Sequence, residues 1–142
     1  MKTIKRFLIL SLMILAVLSM VACGGSEETA EHIEPYHLED VAGSDFKLVV
    51  LTDKAAERLD IQSEEVVEMS VPYSSVIYDL NGETYVYTRN PEAGSLSFVR
   101  APITVERIDG GLAILSAGPD FGTQVVTRGV SELFGAETGV GK

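Results

Sequence analysis

The chain has 142 residues, with 11 Lys and Arg against 21 Asp and Glu, a formal charge of −10, one Cys and no Trp. That length bounds it to one ordinary domain. The acidic balance excludes a nucleic-acid binder, which needs clustered cations for phosphate contacts, and the single Cys excludes an intrachain disulfide scaffold.

The mean hydropathy is nevertheless +0.20, because many apolar residues sit in one block. Lys2, Lys5 and Arg6 precede a 15-residue apolar run from Phe7 to Val21, followed by Ala22 and Cys23. This is the layout of a secretory signal. As a helix those 15 residues would rise about 22 Å, short of the roughly 30 Å hydrocarbon slab. Gly24-Gly25-Ser26-Glu27-Glu28 cannot extend the run. The tetrapeptide Met20-Val21-Ala22-Cys23 resembles the lipobox of bacterial lipoproteins, with Met20 where Leu is more usual. The resemblance implies that residues 1–22 are a lipoprotein signal peptide and that Cys23 is the lipid attachment site and the mature N-terminus. Two acyl chains, at about 0.8 kcal/mol per buried CH₂, would hold the protein stably on the extracytoplasmic side of a membrane, in the periplasm or at the cell surface. An ordinary signal peptide would instead leave Cys23 a free thiol or remove it. The only cysteine stands at the one place a lipid would be attached, which favours the anchor.

Residues 23–44 are expected to be an acidic flexible tether. They carry Glu27, Glu28, Glu31, Glu34, Glu39 and Asp40, with Pro35 and no sustained period of 2 or 3.6. His32 and His37 are spaced i, i+5, which fits neither a helix face nor a strand face, so they are read as exposed side chains and not as metal ligands. Residues 45–134 read as a β-rich domain. Phe46 to Leu51 is a strand, Thr52 or Asp53 caps a short helix from Lys54 to Leu59, and Gln62 to Val71 is extended, with Pro72 marking an edge or a strand start. Val76 to Leu80 and Glu83 to Tyr87 flank Asn81-Gly82, the signature of a two-residue type I′ hairpin. That turn would place Tyr78 opposite Tyr85 and Val76 opposite Tyr87, with Leu80 on the same face. Further strands are expected at Leu96 to Arg100, Ile103 to Ile108, Leu112 to Leu115 and Gln124 to Arg128, with Pro102 bending a strand or confining it to an edge. Residues 135–142 read as a Gly-rich tail that frays. The expected fold class is mainly β, a small barrel or sandwich of about six or seven strands with one short helix.

Catalytic chemistry finds little footing. A nucleophile needs a base in reach, but His32 and His37 both lie in the acidic linker, and Ser74-Ser75 lacks a nucleophile elbow. Gly110-Gly111 and the segment Gly118-Pro-Asp-Phe-Gly122 are turns without a phosphate-binding Gly-Lys-Ser/Thr. The pairs Glu64/Glu65, Asp79/Glu83 and Glu106/Asp109 read as solvated acids, and Met69 alone cannot chelate copper. The expectation is a non-catalytic protein without cofactor or resident metal.

Several short motifs in order resemble a transport family. They are Leu51-Thr-Asp-Lys-Ala-Ala-Glu-Arg-Leu-Asp-Ile61, Val71-Pro-Tyr-Ser-Ser-Val76, Tyr78-Asp-Leu-Asn-Gly82 with Tyr85-Val-Tyr87, Arg100-Ala-Pro-Ile-Thr-Val105, and Leu115-Ser-Ala-Gly-Pro-Asp-Phe-Gly122 before Val125-Val-Thr-Arg-Gly129. Together, from Leu48 to about Phe134, they resemble the membrane-proximal domain of bacterial periplasmic adaptors, also called membrane fusion proteins or HlyD-like efflux adaptors. The resemblance implies a β-domain resting against the extracytoplasmic part of a transporter of the RND or ABC type, or another envelope protein. In full-length adaptors a barrel, a lipoyl-like domain and a helical hairpin intervene between the helix segment and the Val-Pro segment. Here nine residues separate Ile61 from Val71, so a sealed conduit to an outer-membrane channel is not implied. The expected function is therefore a lipid-anchored adaptor or accessory binding module for a transport system. The alternative is an envelope lipoprotein that binds a small ligand or a metal ion.

Overall fold

The computed structural model describes residues 34–139. Cys23, His32 and the apolar N-terminal run lie outside them. The strands are β1 (Tyr36–Asp40), β2 (Lys47–Leu51), β3 (Gln62–Glu65), β4 (Ser70–Pro72), β5 (Ile77–Tyr78), β6 (Thr84–Arg89), β7 (Ser97–Asp109), β8 (Leu112–Ala117) and β9 (Gln124–Arg128). Helix α1 is Asp53–Arg58, α2 is Val130–Thr138, and Tyr73–Ser75 forms a 3-10 turn. The domain is mainly β, and its nine strands form an antiparallel sheet that does not close into a barrel. The spatial order is β1-β2-β7-β6-β9-β3, with β5 on β6, β8 on the second half of β7, and β4 on β8.

Helix α1 follows its sequence signals. Thr52 Oγ1 accepts from the Ala55 N–H at 3.2 Å, satisfying one of the first-turn donors. Asp53 opens the helix and Arg58 closes it, each matching the helix dipole. The central strand β6 is buried on both faces, and its alternation divides the core. Tyr85 and Tyr87 join Val49, Leu51, Phe98, Val126 and Leu133 on one side, under α1 and α2. Val86 joins Val66, Val71, Ile103, Ala113, Leu115 and Val125 on the other, under β4 and β8.

Four local expectations are corrected. The tether does not run to residue 44: Tyr36–Asp40 is a strand, paired residue for residue with β2 from Tyr36↔Leu51 to Asp40↔Lys47. An acidic segment with weak local preference is held there because β2 offers an open edge and Tyr36 packs on the core. The hairpin register differs by one residue. Gly82 N–H bonds Asp79 O at 3.0 Å and Asp79 N–H bonds Glu83 O at 2.9 Å, so the loop is Leu80-Asn81-Gly82 with Gly82 alone at positive φ (+82°). This three-residue turn pairs Ile77 with Tyr85 and Tyr78 with Thr84. One residue of slip moves a side chain to the opposite face, so Tyr78 and Leu80 are exposed whereas Tyr85 and Ile77 are buried.

The two strands expected around Pro102 are one 13-residue strand, β7. Asn90 N–H donates to Ser97 O at 2.8 Å, and from that pair the ladder alternates so that Pro102, opposite Tyr85, falls at a non-hydrogen-bonded place. Its missing N–H therefore costs the β6 ladder nothing. Finally, the tail from residue 135 is helical as far as Thr138, because α2 buries Val130 and Leu133 against the sheet. Gly129 is needed at the junction into α2. Its φ is +83°, and a Cβ there would lie 2.1 Å from Ile61 Cδ1.

Candidate binding surface

The Tyr78/Tyr85 face expected from the hairpin is split by the register. Tyr85 belongs to the core, while Tyr78 meets Tyr73 from the 3-10 turn on the surface. The two rings stand edge to face, 6.4 Å apart at 66°, and remain 50% and 42% exposed. Their contact, chiefly through the hydroxyls, holds the Tyr78 phenol above its ordinary pKa. Tyr73 is tied to the β7–β8 turn by its N–H to Gly111 O at 2.9 Å. Leu112, exposed, follows in that turn, and Leu80 is exposed at the hairpin tip. Exposed tyrosines whose polar ends stay wet while their rings offer apolar area are suited to protein contact.

Both prolines fall on open edges: Pro72 on β4, and Pro102 on the stretch of β7 between its pairing with β2 at Ser97 and Phe98 and with β8 from Thr104, where β6 is its one neighbour among the described residues. Strand β4 has β8 as its one neighbour among the described residues, and β3 likewise has only β9. Between them lies a groove of about 280 Å³. Its apolar lining is Val66, Val71, Pro72, Leu112 and Val125, its carboxylates are Glu64, Glu65 and Glu68, and Val67 stands highly exposed at the rim. Glu65 Oε1 accepts from Gln124 Nε2 at 3.1 Å.

Of the other acidic pairs weighed in the sequence, Asp79 and Glu83 are engaged locally. Asp79 Oδ1 accepts from the Asn81 N–H at 3.3 Å, and Glu83 Oε2 accepts from the Tyr85 hydroxyl at 2.8 Å. His37 Nε2 lies 2.9 Å from Glu39 Oε1 on the same exposed strand. Among the described residues no group of three His, Cys, Asp or Glu side chains is placed to hold a metal ion.

A buried ion pair on the helix-covered side went unseen in the sequence. Arg100 of β7 and Glu137 of α2 are 12% and 3% exposed, with Nε 2.8 Å from Oε2 and Nη2 donating to Oε1 at 3.0 Å. Glu137 also accepts from the Tyr87 hydroxyl and, at 3.2 Å, from the Lys47 N–H. Burial and the adjoining Glu137 carboxylate push the Tyr87 phenol far up, so it stays a donor. The Arg100 guanidinium lies over Phe46 at 4.5 Å, Tyr85 at 5.2 Å and Phe134 at 5.5 Å. With the carboxylate bonded by Nη2, in close charge contact with Nε, which itself makes no hydrogen bond among the described residues, and taking further donors from Tyr87 and Lys47, this cluster is a clamp joining α2 to the sheet. Nothing in the sequence separated Arg100 and Glu137 from other surface charges. Only the helical reading of residues 130–138 would have aligned Glu137 with Leu133 and Phe134.

Comparison with protein-family models, with characterised proteins and with solved structures returned no match to this chain.

Proposed function

We infer that the chain is a lipid-anchored extracytoplasmic binding module, non-catalytic, serving a membrane transport system in the manner of an efflux adaptor's membrane-proximal domain. The observation that carries this reading is the exposed Tyr73–Tyr78 edge-to-face pair, with Leu112 and Leu80 also exposed, two aromatic rings in mutual contact at the surface. Such aromatic area costs solubility unless a partner covers it. The lipobox-like sequence ending at Cys23 adds a means of keeping that surface beside a membrane protein, where tethering raises effective concentration.

Two substitutions test the two halves of the reading. Cys23→Ser should release the protein from membranes into the soluble fraction on cell fractionation, and continued membrane association would count against the lipid anchor. Tyr73→Ser with Tyr78→Ser should leave the thermal midpoint nearly unchanged while lowering recovery of envelope partners in a pull-down from solubilised membranes. Equal recovery would remove this surface from the contact.

A further inference from the structure

The groove between β3 and β4 has a chemistry of its own, set by the backbone of β4. Leu115 N–H donates to Met69 O at 2.7 Å and Tyr73 N–H to Gly111 O at 2.9 Å, so residues 69, 71 and 73 address β8. By alternation Ser70 and Pro72 turn their backbone groups to the open side. The Ser70 N–H is occupied by Glu68 O at 2.6 Å, and Pro72 has no N–H. The open edge of β4 therefore offers carbonyl oxygens alone. Around it stand Glu64, Glu65 and Glu68, and no Lys, Arg or His lines the groove.

A site made of acceptors and negative charge over an apolar floor selects its occupant. A second copy cannot dock edge to edge here, since two carbonyl-only edges cannot bond each other. The chain's own preceding segment, with Glu27, Glu28 and Glu31, carries the wrong charge. At about 280 Å³ the space is smaller than most of the roughly 300–1,000 Å³ pockets that enclose drug-sized molecules. It suits a few side chains of an extended strand instead.

We propose that this groove binds an extended segment of a partner protein in which apolar residues alternate with Lys or Arg. The segment's backbone N–H groups bond Ser70 O and Pro72 O, continuing the β7-β8-β4 layer by one strand. Its apolar side chains lie on the exposed groove residues Val67 and Leu112, and its cations face the three glutamates. The proposal rests on the binding-module reading and names one contact surface for it, distinct from the tyrosine pair.

The test is calorimetric titration of the full chain in detergent micelles with a short synthetic peptide alternating valine and lysine. Binding is expected, weakening about tenfold in the variant combining Glu64→Gln, Glu65→Gln and Glu68→Gln, which is what three surface ion pairs supply together. The same peptide N-methylated at alternate backbone nitrogens should bind much more weakly. Absence of binding, equal affinity for a valine–glutamate peptide, unchanged affinity in the triple variant, or indifference to N-methylation would each overturn the proposal. Recovery of an envelope partner by the triple variant at full yield would overturn the groove's role and leave the anchored module standing. Peptide binding without recovery of any envelope partner by the unaltered chain would do the reverse.

Discussion

On one side of β6, Tyr85 and Tyr87 lie beneath two helices and a clamped ion pair; on the other, Val86 is roofed by two strands, and a groove stays open beside them. The helix-covered side holds the larger side chains and has its carboxylate and guanidinium withdrawn from water. The strand-covered side holds mostly valine and alanine, and it borders exposed Val67 and Leu112. The contrast separates two jobs. Both faces bury their apolar cores, but beside the strand-covered one the β4 edge and the exposed Val67 and Leu112 are available to a partner.

The comparison breaks most sharply at Glu137. Replacing it with Ala strands the Arg100 guanidinium among Phe46, Tyr85 and Phe134 and removes the acceptor of the Tyr87 hydroxyl. The expected loss is about 3–5 kcal/mol of unfolding free energy in urea denaturation, the cost of halving a buried pair. A loss within the range of ordinary surface pairs, about 1 kcal/mol or less, would show that the clamp is solvated. Truncating one apolar residue on each side sharpens the contrast. Leu133→Ala, at a fully buried site under α2, should cost about 2–5 kcal/mol, whereas Val71→Ala, beside the groove, should cost about 1.5 kcal/mol for the methyl groups removed. A Val71→Ala cost well above that transfer value would mean that the site beside the groove cannot collapse around the cavity.

The smallest effect concerns two exposed clips at the periphery. The Lys47 ammonium, by hydrogen bond and then by charge, lowers the Asp40 pKa, and Arg128 and then Gln62, by hydrogen bonds, lower that of Asp60. A carboxylate with a depressed folded pKa contributes stability above its unfolded pKa, here near the ordinary 3.8. That contribution disappears as pH falls through the folded value. Asp40→Asn and Asp60→Asn should each lower stability slightly at neutral pH, by the lost clip, and flatten the acid limb, converging on the unaltered protein below the folded pKa. An unaltered acid limb would show that water screens both clips fully.

Much of the fold was legible residue by residue. The last strand, Gln124 to Arg128, coincides with β9, and the helix after Thr52 is α1, because each carries its own local code of alternation or capping. The places missed share a physical cause. Tyr36–Asp40 is a strand because β2 has an edge to give, and α2 continues past Gly135 because Leu133 and Glu137 have partners in the sheet. The hairpin was recognised, but its loop length was not, since Asn-Gly serves a three-residue turn as well as a two-residue one. That single residue decided which tyrosine meets solvent. The candidate surface was correspondingly half visible: Pro72 announced an edge, while the union of Tyr73 with Tyr78 and the carboxylates around β4 required strands distant in the chain to meet.

The order of amino acids alone determined the β-rich class, the acidic charge, the capped helix and the turns, because each is written in neighbouring residues through backbone preference and periodicity. Tertiary structure alone decided register, the covering of one face by helices and of the other by strands, and the burial of Arg100 against Glu137. Those depend on which distant segments share a desolvated volume, and free energies of burial and charge pairing are properties of that shared volume and not of any short stretch of chain.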